Sequence, residues 1–465
     1  MSNEDSRTGS LATARLGWGW KCAVAWRSLV GALALTGAFS VCSVRLFRLI
    51  DRLAVNVIYW DEWDFLNGLF EDRGWWDLFT WQHGPHREGL GYGVIKICAA
   101  LSSWDTRFEA FVVGGITVSS AVVAVLLKRA LHRTWSPFDV CIPLIVLTLA
   151  QSEQYACVVN PAHGSVPLLL VLLLTLTTVI ERTTLRVALM VTLNFLAVYT
   201  GFGVLVGPIT VVLFAIQLYG AVEDRRNITS HAIGLLSSLA SFGSFFLWHY
   251  RFESAAPCFV FPDPHPANYV RFLGLLYLRL FEAQDLVQWR VVLGGLVLAV
   301  HAAVLAWAIY GTLTSRGRSR AHVAVFILSG FSLAFGLNAA IGRVCFGPDA
   351  AIWSRYVPYG VPVMLGLYLA LWSFPLSTPV RVVFLAVLTV LCVVKEVRIK
   401  QDMVVFKACA SAKQRWRDCY IKVGSIDACD ARTHSRLHPN PAVTRLQRKL
   451  DFLRAHDLNL FKLGG

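Results

Sequence analysis

Charged residues are scarce in this chain. Only 15% of its 465 residues are Asp, Glu, Lys or Arg, while 56% are hydrophobic and the mean hydropathy is +0.55. A soluble domain carries roughly 25% charged residues. The scarcity excludes a string of soluble domains, and repeated runs of about 20 apolar residues indicate helices that use lipid as their solvent.

Motifs of soluble enzymes are missing too. There is no C-x-x-C pair and no Cys/His spacing of a zinc site, and the spacing of Gly201, Gly203 and Gly207 does not match a dinucleotide-binding turn. No nucleic-acid-binding motif accompanies the formal net charge of +14, whose Lys and Arg are spread over successive loops and the tail. We therefore assign this charge to membrane topology and lipid contact, and expect no nucleic-acid partner.

The apolar runs predict an all-α, polytopic transmembrane helix bundle of about eleven spans. The first span is interpreted as an uncleaved anchor, because no small-residue cleavage site follows it. The segment 270–283 is short and interrupted by Arg271 and Arg279, which indicates an interfacial or re-entrant segment. The predicted spans are 29–44, 108–127, 138–155, 164–180, 185–199, 203–220, 231–249, 288–312, 322–341, 357–374 and 380–395.

The positions of the cations predict the orientation, because short loops rich in Lys and Arg stay in the cytoplasm. Residues 1–28 are predicted to be cytoplasmic, the bundle to occupy 29–395, and the first loop, 45–107, to lie outside. An odd number of spans places the basic tail, 396–465, outside as well, since long segments cross a membrane largely regardless of charge. The cytoplasmic cations are Lys128, Arg129, Arg133, Arg182, Arg186, Arg225, Arg226, Arg316, Arg318 and Arg320.

The tail carries two further patterns. Val443, Leu446, Leu450 and Leu453 recur at spacings of three and four residues, which predicts an amphipathic helix that caps the bundle or lies on the membrane. Cysteines on the outer side can form disulfides. The outer cysteines are Cys157, Cys258, Cys345, Cys409, Cys419 and Cys429, of which the last three are the best candidates.

Candidate chemistry is concentrated in the first outer loop, where amphipathic helices are expected. Residues 59–65 read Tyr-Trp-Asp-Glu-Trp-Asp-Phe and place Asp61, Glu62 and Asp64 just after a membrane span. Carboxylates can act as a general base or hold a divalent cation, Mg²⁺ or Mn²⁺, against a phosphate leaving group. The alternative is an acidic helix start flanked by aromatic anchors at the membrane interface.

A second cluster follows about twenty residues later in the same loop, in the run Gln82 to Glu88. His83, His86 and Arg87 can hydrogen-bond to a phosphate, and Gly84-Pro85 forces a tight turn between the two histidines. These residues are therefore candidate substrate-binding groups.

Two later outer segments complete the candidate site. Residues 151–163 form a polar connection that includes Glu153, explained equally well by substrate binding or by solvation of a loop. Arg343, Arg355 and Tyr356 bracket another outer loop, and an arginine at the membrane edge is costly unless it snorkels or pairs with an anion. The two arginines are candidate phosphate ligands.

These residues resemble a known family: the many-span glycosyltransferases of the GT-C type, and within them a bacterial group of integral membrane proteins. The resemblance rests on Asp61, Glu62 and Asp64, on the run 82–87, and on the segments that contain Arg343 and Arg355. It implies a bacterial inner-membrane enzyme that moves a sugar from a polyprenyl-phosphate carrier to an envelope acceptor outside. It also implies that Asp61 is the catalytic base and that Glu62 and Asp64 support it or bind metal.

The sequence departs from the better-studied members in having no large extracytoplasmic domain, only the basic tail of about 70 residues. The main alternative is a transporter or flippase of a lipid-linked sugar, which would use the same phosphate-binding groups without breaking a bond. Polar residues at the midplane and internal repeats would mark that class, and no convincing repeat is found.

Overall fold

The computed structural model describes residues 5–252, 256 and 258–462. Among these residues, six helices are long and apolar enough to cross a membrane: Ser28–Leu53, Thr106–His132, Phe202–Asp224, Arg290–Thr314, Arg320–Phe346 and Ser354–Ser373. The predicted class, an all-α multi-pass membrane protein, is confirmed. The first four residues of the predicted cytoplasmic segment and the last three of the tail lie outside the described residues.

The described chain contains twenty α-helices, seven short 3₁₀ helices and one short hairpin. The helices are α1 (Asp5–Leu53), α2 (Glu62–Phe65), α3 (Asn67–Phe70), α4 (Trp75–Phe79), α5 (Gly89–Ser102), α6 (Thr106–His132), α7 (Cys141–Val146), α8 (Glu153–Ala156), α9 (Ser165–Thr177), α10 (Thr183–Val198), α11 (Val206–Asp224), α12 (Ile228–Ser244), α13 (Ala267–Arg279), α14 (Arg290–Thr314), α15 (Arg320–Arg343), α16 (Val357–Ser373), α17 (Thr378–Arg398), α18 (Lys400–Val423), α19 (Ile426–Thr433) and α20 (Leu446–Ala455). The strands are β1 (Gln82–His83) and β2 (His86–Arg87).

The predicted number of about eleven spans is not confirmed. The predicted span 138–155 is a broken segment, in which α7 is flanked by 3₁₀ turns at Pro137–Val140 and Leu149–Gln151. The predicted spans 164–180 and 185–199 form α9 and α10, of 13 and 16 residues. A spanning helix needs about 20 residues, so these elements are short for a complete crossing.

The segment 270–283 was predicted to be interfacial or re-entrant. Its first ten residues belong to α13, a helix of 13 residues that packs against α14, α15 and the 3₁₀ turn Pro348–Ile352. Gly274 of α13 meets Gly294 of α14 so closely that an added Cβ on either would contact the other's backbone at about 3 Å. The Tyr277 hydroxyl donates a hydrogen bond to the Ser332 carbonyl of α15 at 2.7 Å. Small residues permit this approach, as is usual between membrane helices.

A second layer covers one end of the bundle. The tail helices α18 to α20 pack on the first loop in a hydrophobic cluster of their own, which includes Trp63, Trp416 and Leu450. The Trp60 amide donates to the Leu437 carbonyl at 2.7 Å, and the Asn56 side chain donates to the Asn459 carbonyl at 2.9 Å. The tail and the loop 45–107 therefore lie on the same face of the molecule.

The predicted amphipathic helix of the tail is present as α20, with Leu446, Leu450 and Leu453 buried, whereas Val443 precedes the helix and is 81% exposed. Two disulfides join cysteines that were predicted to lie outside: Cys419–Cys429 within the tail, and Cys258–Cys345 between the segment after α12 and the turn after α15. Cys409, one of the three best candidates by sequence, is a free thiol.

Candidate functional site

The hairpin in the first loop presents the two histidines of the second cluster. Gln82 pairs with Arg87 and His83 with His86, and Gly84 adopts a positive φ of 59° in the turn between the strands. The tight turn predicted at Gly84-Pro85 is thus present, although strands were not predicted. The Arg87 carbonyl accepts a hydrogen bond from the Gly201 amide at 2.7 Å, which holds the hairpin against the chain that enters α11.

Gly201 permits this convergence of three chain segments. Its φ is +56°, and a Cβ at this position would lie 2.0 Å from the Ala162 carbonyl oxygen. Only glycine tolerates both the positive φ and the close backbone. The approach brings His163, next to Ala162, beside the hairpin.

A cavity of about 150 Å³ lies where these segments meet the ends of α15 and α16. Six of the residues predicted from sequence line it: Asp61, His83, His86, Arg343, Arg355 and Tyr356. His163 and aromatic side chains, including Phe202, Phe335 and Tyr359, complete the wall. A smaller adjoining cavity shares Asp61, His83, His163 and Arg355 with the first and adds Glu153. Residues predicted in four separate stretches of sequence are therefore neighbours.

The three carboxylates of residues 61–64 do not share one site. Asp61 lines the cavity, within the electrostatic reach of Arg355. Glu62 is buried and accepts hydrogen bonds from the Tyr59 amide at 2.7 Å and from the Val159 amide. Asp64 contacts His438 of the tail, with 3.0 Å between Oδ2 and Nε2. Since neighbouring positions on one turn point in different directions, the predicted metal site of Asp61, Glu62 and Asp64 is not assembled.

The surroundings of Glu62 and Asp64 shift their pKa values in opposite directions. Burial raises the pKa of Glu62 to about 7, although Lys413 of the tail and the two backbone amides oppose the shift. Burial would also raise the pKa of Asp64, but hydrogen bonds with His438 and Thr444 outweigh it and the net pKa is lowered. Both carboxyl groups hold the loop to other parts of the chain.

Arg87 also departs from its predicted role. Its buried guanidinium donates to the Phe245 carbonyl from Nε at 3.0 Å and from Nη2 at 2.9 Å, and further to the Thr80 and Leu247 carbonyls. It lies over the ring of Phe245 at 5.4 Å. Arg87 therefore ties the hairpin to the end of α12 and does not reach the cavity.

The two predicted phosphate ligands have different environments. Arg355 forms an ion pair with Glu153, 2.8 Å from Nη2 to Oε1, and its backbone amide donates to Oε2 of the same carboxylate at 3.1 Å. Arg343 lines the cavity, and no carboxylate of the described chain lies within ion-pair distance of it. Arg343 is the cation available to an anion in this cavity, and Glu153 orients Arg355.

Glu88, which was not predicted to have a role, and His163, the last residue of the predicted polar segment 151–163, complete the cluster around His86. His163 faces His86 through the two Nε2 atoms, with ring centroids 4.2 Å apart, and Glu88 Oε1 lies 3.6 Å from His86 Nε2. Burial first, and then neighbouring cationic groups, lower the pKa values of His86 and His163 well below the usual range, so both rings are neutral near pH 7. Their positions in the sequence were the signal that could have identified them. Glu88 directly follows the predicted residue Arg87, and His163 is the last residue of the polar segment 151–163.

A second cavity of about 290 Å³ lies at the other end of the same helices. Phe202 and Phe335 line the first cavity, whereas Gln217 and Val323, from the opposite ends of the α11 and α15 regions, line the second. Its cations are Arg186, Arg226, Arg316, Arg318 and Arg320. Three of them form ion pairs: Arg316 with Glu223, Arg318 with Asp224, and Arg320 with Glu181.

Comparison of the chain with known protein families, with curated proteins and with solved structures finds no match.

Proposed function

We propose that this chain is a membrane glycosyltransferase that moves a sugar from a polyprenyl-phosphate carrier to an envelope acceptor outside a bacterial inner membrane. The observation that carries the proposal is the meeting of Asp61, Arg343 and Arg355 in one cavity beside the ends of membrane helices. A base and two cations around one space are what a transfer from a phosphate leaving group requires. The proposed topology has about eleven crossings, a cytoplasmic N-terminus and an outer tail.

In the proposed mechanism Asp61 accepts the proton of the acceptor hydroxyl. The hydroxyl oxygen attacks the anomeric carbon, the bond from that carbon to the phosphate oxygen breaks, and polyprenyl phosphate leaves with the electron pair. Arg343 and Arg355 stabilise the charge that develops on the phosphate. A single displacement inverts the anomeric configuration. The aromatic wall of Phe335 and Tyr359 suits the apolar start of the carrier.

The test is transfer of labelled sugar from total membrane polyprenyl-phosphate sugars to endogenous envelope acceptors. Asp61→Asn and Arg355→Ala should each lower the transfer rate by about 100-fold or more, because a positioned base and a charge-stabilising donor contribute about that much each. Asp72→Asn and Arg436→Ala, which change exposed residues outside both cavities, serve as matched controls and should transfer at the wild-type rate. Full activity of folded Asp61→Asn would remove Asp61 as the base.

A flippase of a lipid-linked sugar is the second candidate, and the basic cavity at the opposite end favours it. A carrier that moves between the two faces needs a phosphate-binding site at each, and the five arginines there provide the second. Unchanged transfer in Asp61→Asn, together with an altered distribution of the lipid-linked sugar across the membrane in Arg186→Ala, would support the flippase over the transferase.

A further inference from the structure

The cluster of His86, Glu88 and His163 has the geometry of a metal site. One ligand atom from each residue lies within 4.8 Å of the other two, and it is the one such group of three among the described residues. Two donors on one tetrahedral Zn²⁺ are separated by about 3.3 Å. Small side-chain shifts would therefore bring all three onto one ion.

The buried carboxylate of Glu88 provides an independent sign that a ligand is required. Glu88 is fully buried, and neither of its oxygens has a hydrogen-bond partner among the described residues. An ionised carboxylate without partners is costly to bury. A bound cation would satisfy it, and Glu88 Oε1 is aimed at His86 Nε2 from 3.6 Å.

Two chain segments that are distant in sequence build the cluster, so its geometry does not arise from one local turn. His86 belongs to β2, Glu88 begins the turn into α5, and His163 precedes α9. The close backbone approach at Gly201 brings the last of these to the first two. Metal ligands held by several rigid elements are preorganised for binding.

We propose that His86, His163 and Glu88 bind one divalent transition-metal ion, with Zn²⁺ the ion that this donor set fits best. Imidazole nitrogens and a carboxylate oxygen are borderline donors that suit Zn²⁺ and its neighbours better than Mg²⁺. Two histidines with one carboxylate leave a fourth position for water or substrate. His86 and His163 line the same cavity as Asp61 and Arg343.

Metal binding is proposed independently of the transfer reaction. If the transferase proposal also holds, the open position could take a phosphate or hydroxyl oxygen of the substrate, which is a Lewis-acid role. This site replaces the carboxylate site expected from Asp61, Glu62 and Asp64. It differs in ligands and in the class of metal.

The experiment is titration of the purified, detergent-solubilised full chain with Zn²⁺ after chelator treatment, using an affinity tag that contains no histidine. The wild type should bind about one Zn²⁺ per chain. Glu88→Gln and His163→Asn should each weaken the affinity by at least about tenfold, because each removes a ligand. His249→Ala and Glu71→Gln, which change exposed residues outside the cluster, should bind as the wild type does.

Two further measurements keep the outcomes distinct. Bound Co²⁺ should give the visible spectrum of a tetrahedral ion with nitrogen and oxygen donors; a thiolate charge-transfer band would assign the ion to cysteines and overturn the proposal. Asp61→Asn should lose transfer yet keep the metal, which separates failure of the metal site from failure of the transferase. Absence of binding by the wild type, or wild-type affinity in folded Glu88→Gln, would also overturn it.

Discussion

At the scale of single residues, Glu62 was predicted to be a catalytic or metal-binding carboxylate, but in the structure it holds the first loop to a distant segment. Its two oxygens accept one amide each, from Tyr59 in its own turn and from Val159 in a distant segment. Burial raises its pKa to about 7 from an ordinary value of 4.5. The folded protein therefore holds a proton on Glu62 at pH values where the unfolded chain has released it.

The sign of the resulting pH dependence follows from that difference. Between about pH 4.5 and about pH 7 the folded state binds more protons at Glu62, so this contribution to stability is present at the acid end and is lost as the pH rises. Glu62→Gln should remove that part of the slope. The measurement is the thermal midpoint in detergent across this pH range; an identical slope in variant and wild type would contradict the assignment.

Arg87 supports a second prediction at this scale. Arg87→Lys should lower the free energy of unfolding by about 1–3 kcal/mol. The N–H donors of the guanidinium are spread over three nitrogens and reach several carbonyls, whereas the ammonium group of lysine is a single compact donor. Thermal unfolding in detergent measures the loss. Arg251→Lys, at an exposed position, is the matched control and should leave the midpoint unchanged. An equal midpoint for both variants would show that water satisfies the carbonyls.

At the scale of elements, the tail is a folded layer that depends on one apolar stripe. Leu446, Leu450 and Leu453 of α20 are buried against the first loop, and Lys449 between them donates to the Trp63 carbonyl and, at 2.9 Å, to Thr444 Oγ1. Desolvation lowers the pKa of Lys449 to about 8, which Asp64 partly offsets. Docking of this helix therefore supports the residues around Asp64.

Leu450→Ala tests that docking. It should destabilise the tail by about 2–5 kcal/mol, because a fully buried leucine is replaced by a cavity. Limited proteolysis of the purified protein should then cut within 424–462 faster than in the wild type. Val443→Ala, which belongs to the same sequence stripe but is 81% exposed, should be cut at the wild-type rate. Equal rates for the two variants would mean that α20 does not anchor the tail.

At the scale of the whole molecule, the contact between tail and first loop couples two topology assignments. Asp64 and His438 are 374 residues apart in sequence and 3.0 Å apart in space, so loop and tail must lie on one side of the membrane. Loop and tail share a side when an even number of crossings separates them, and the eleven predicted spans place ten between them.

The predicted side can be measured with reporters fused to the C-terminus. Alkaline phosphatase should be active there and green fluorescent protein dark, because the tail is predicted to lie outside with the loop 45–107. The same reporters placed after Ser315, in a basic connection, should give the opposite result. If the C-terminal green fluorescent protein is fluorescent instead, the tail lies inside, and the proposed orientation of both cavities is wrong.

The class of the protein was determined by local sequence alone, because hydropathy acts within each run of residues and needs no knowledge of the fold. Local sequence also predicted which loops carry polar chemistry, and six of those residues, including Asp61 and Arg343, line one cavity. Tertiary structure alone decided how each side chain is used. Glu62 and Asp64 form hydrogen bonds with Val159 and His438, and Arg87 donates to a carbonyl at the end of α12. These partners are distant in sequence, so only the fold brings them together.

The same reason explains what sequence could not predict. Glu88 and His163 become neighbours, and candidate metal ligands, only because chain segments distant in sequence meet at Gly201. The choice of Cys258 and Cys345 over Cys409 for a disulfide depends on which backbones approach one another. Local patterns determine which residues are apolar, charged or able to bind; distances between segments are set by packing, and those distances decide the site.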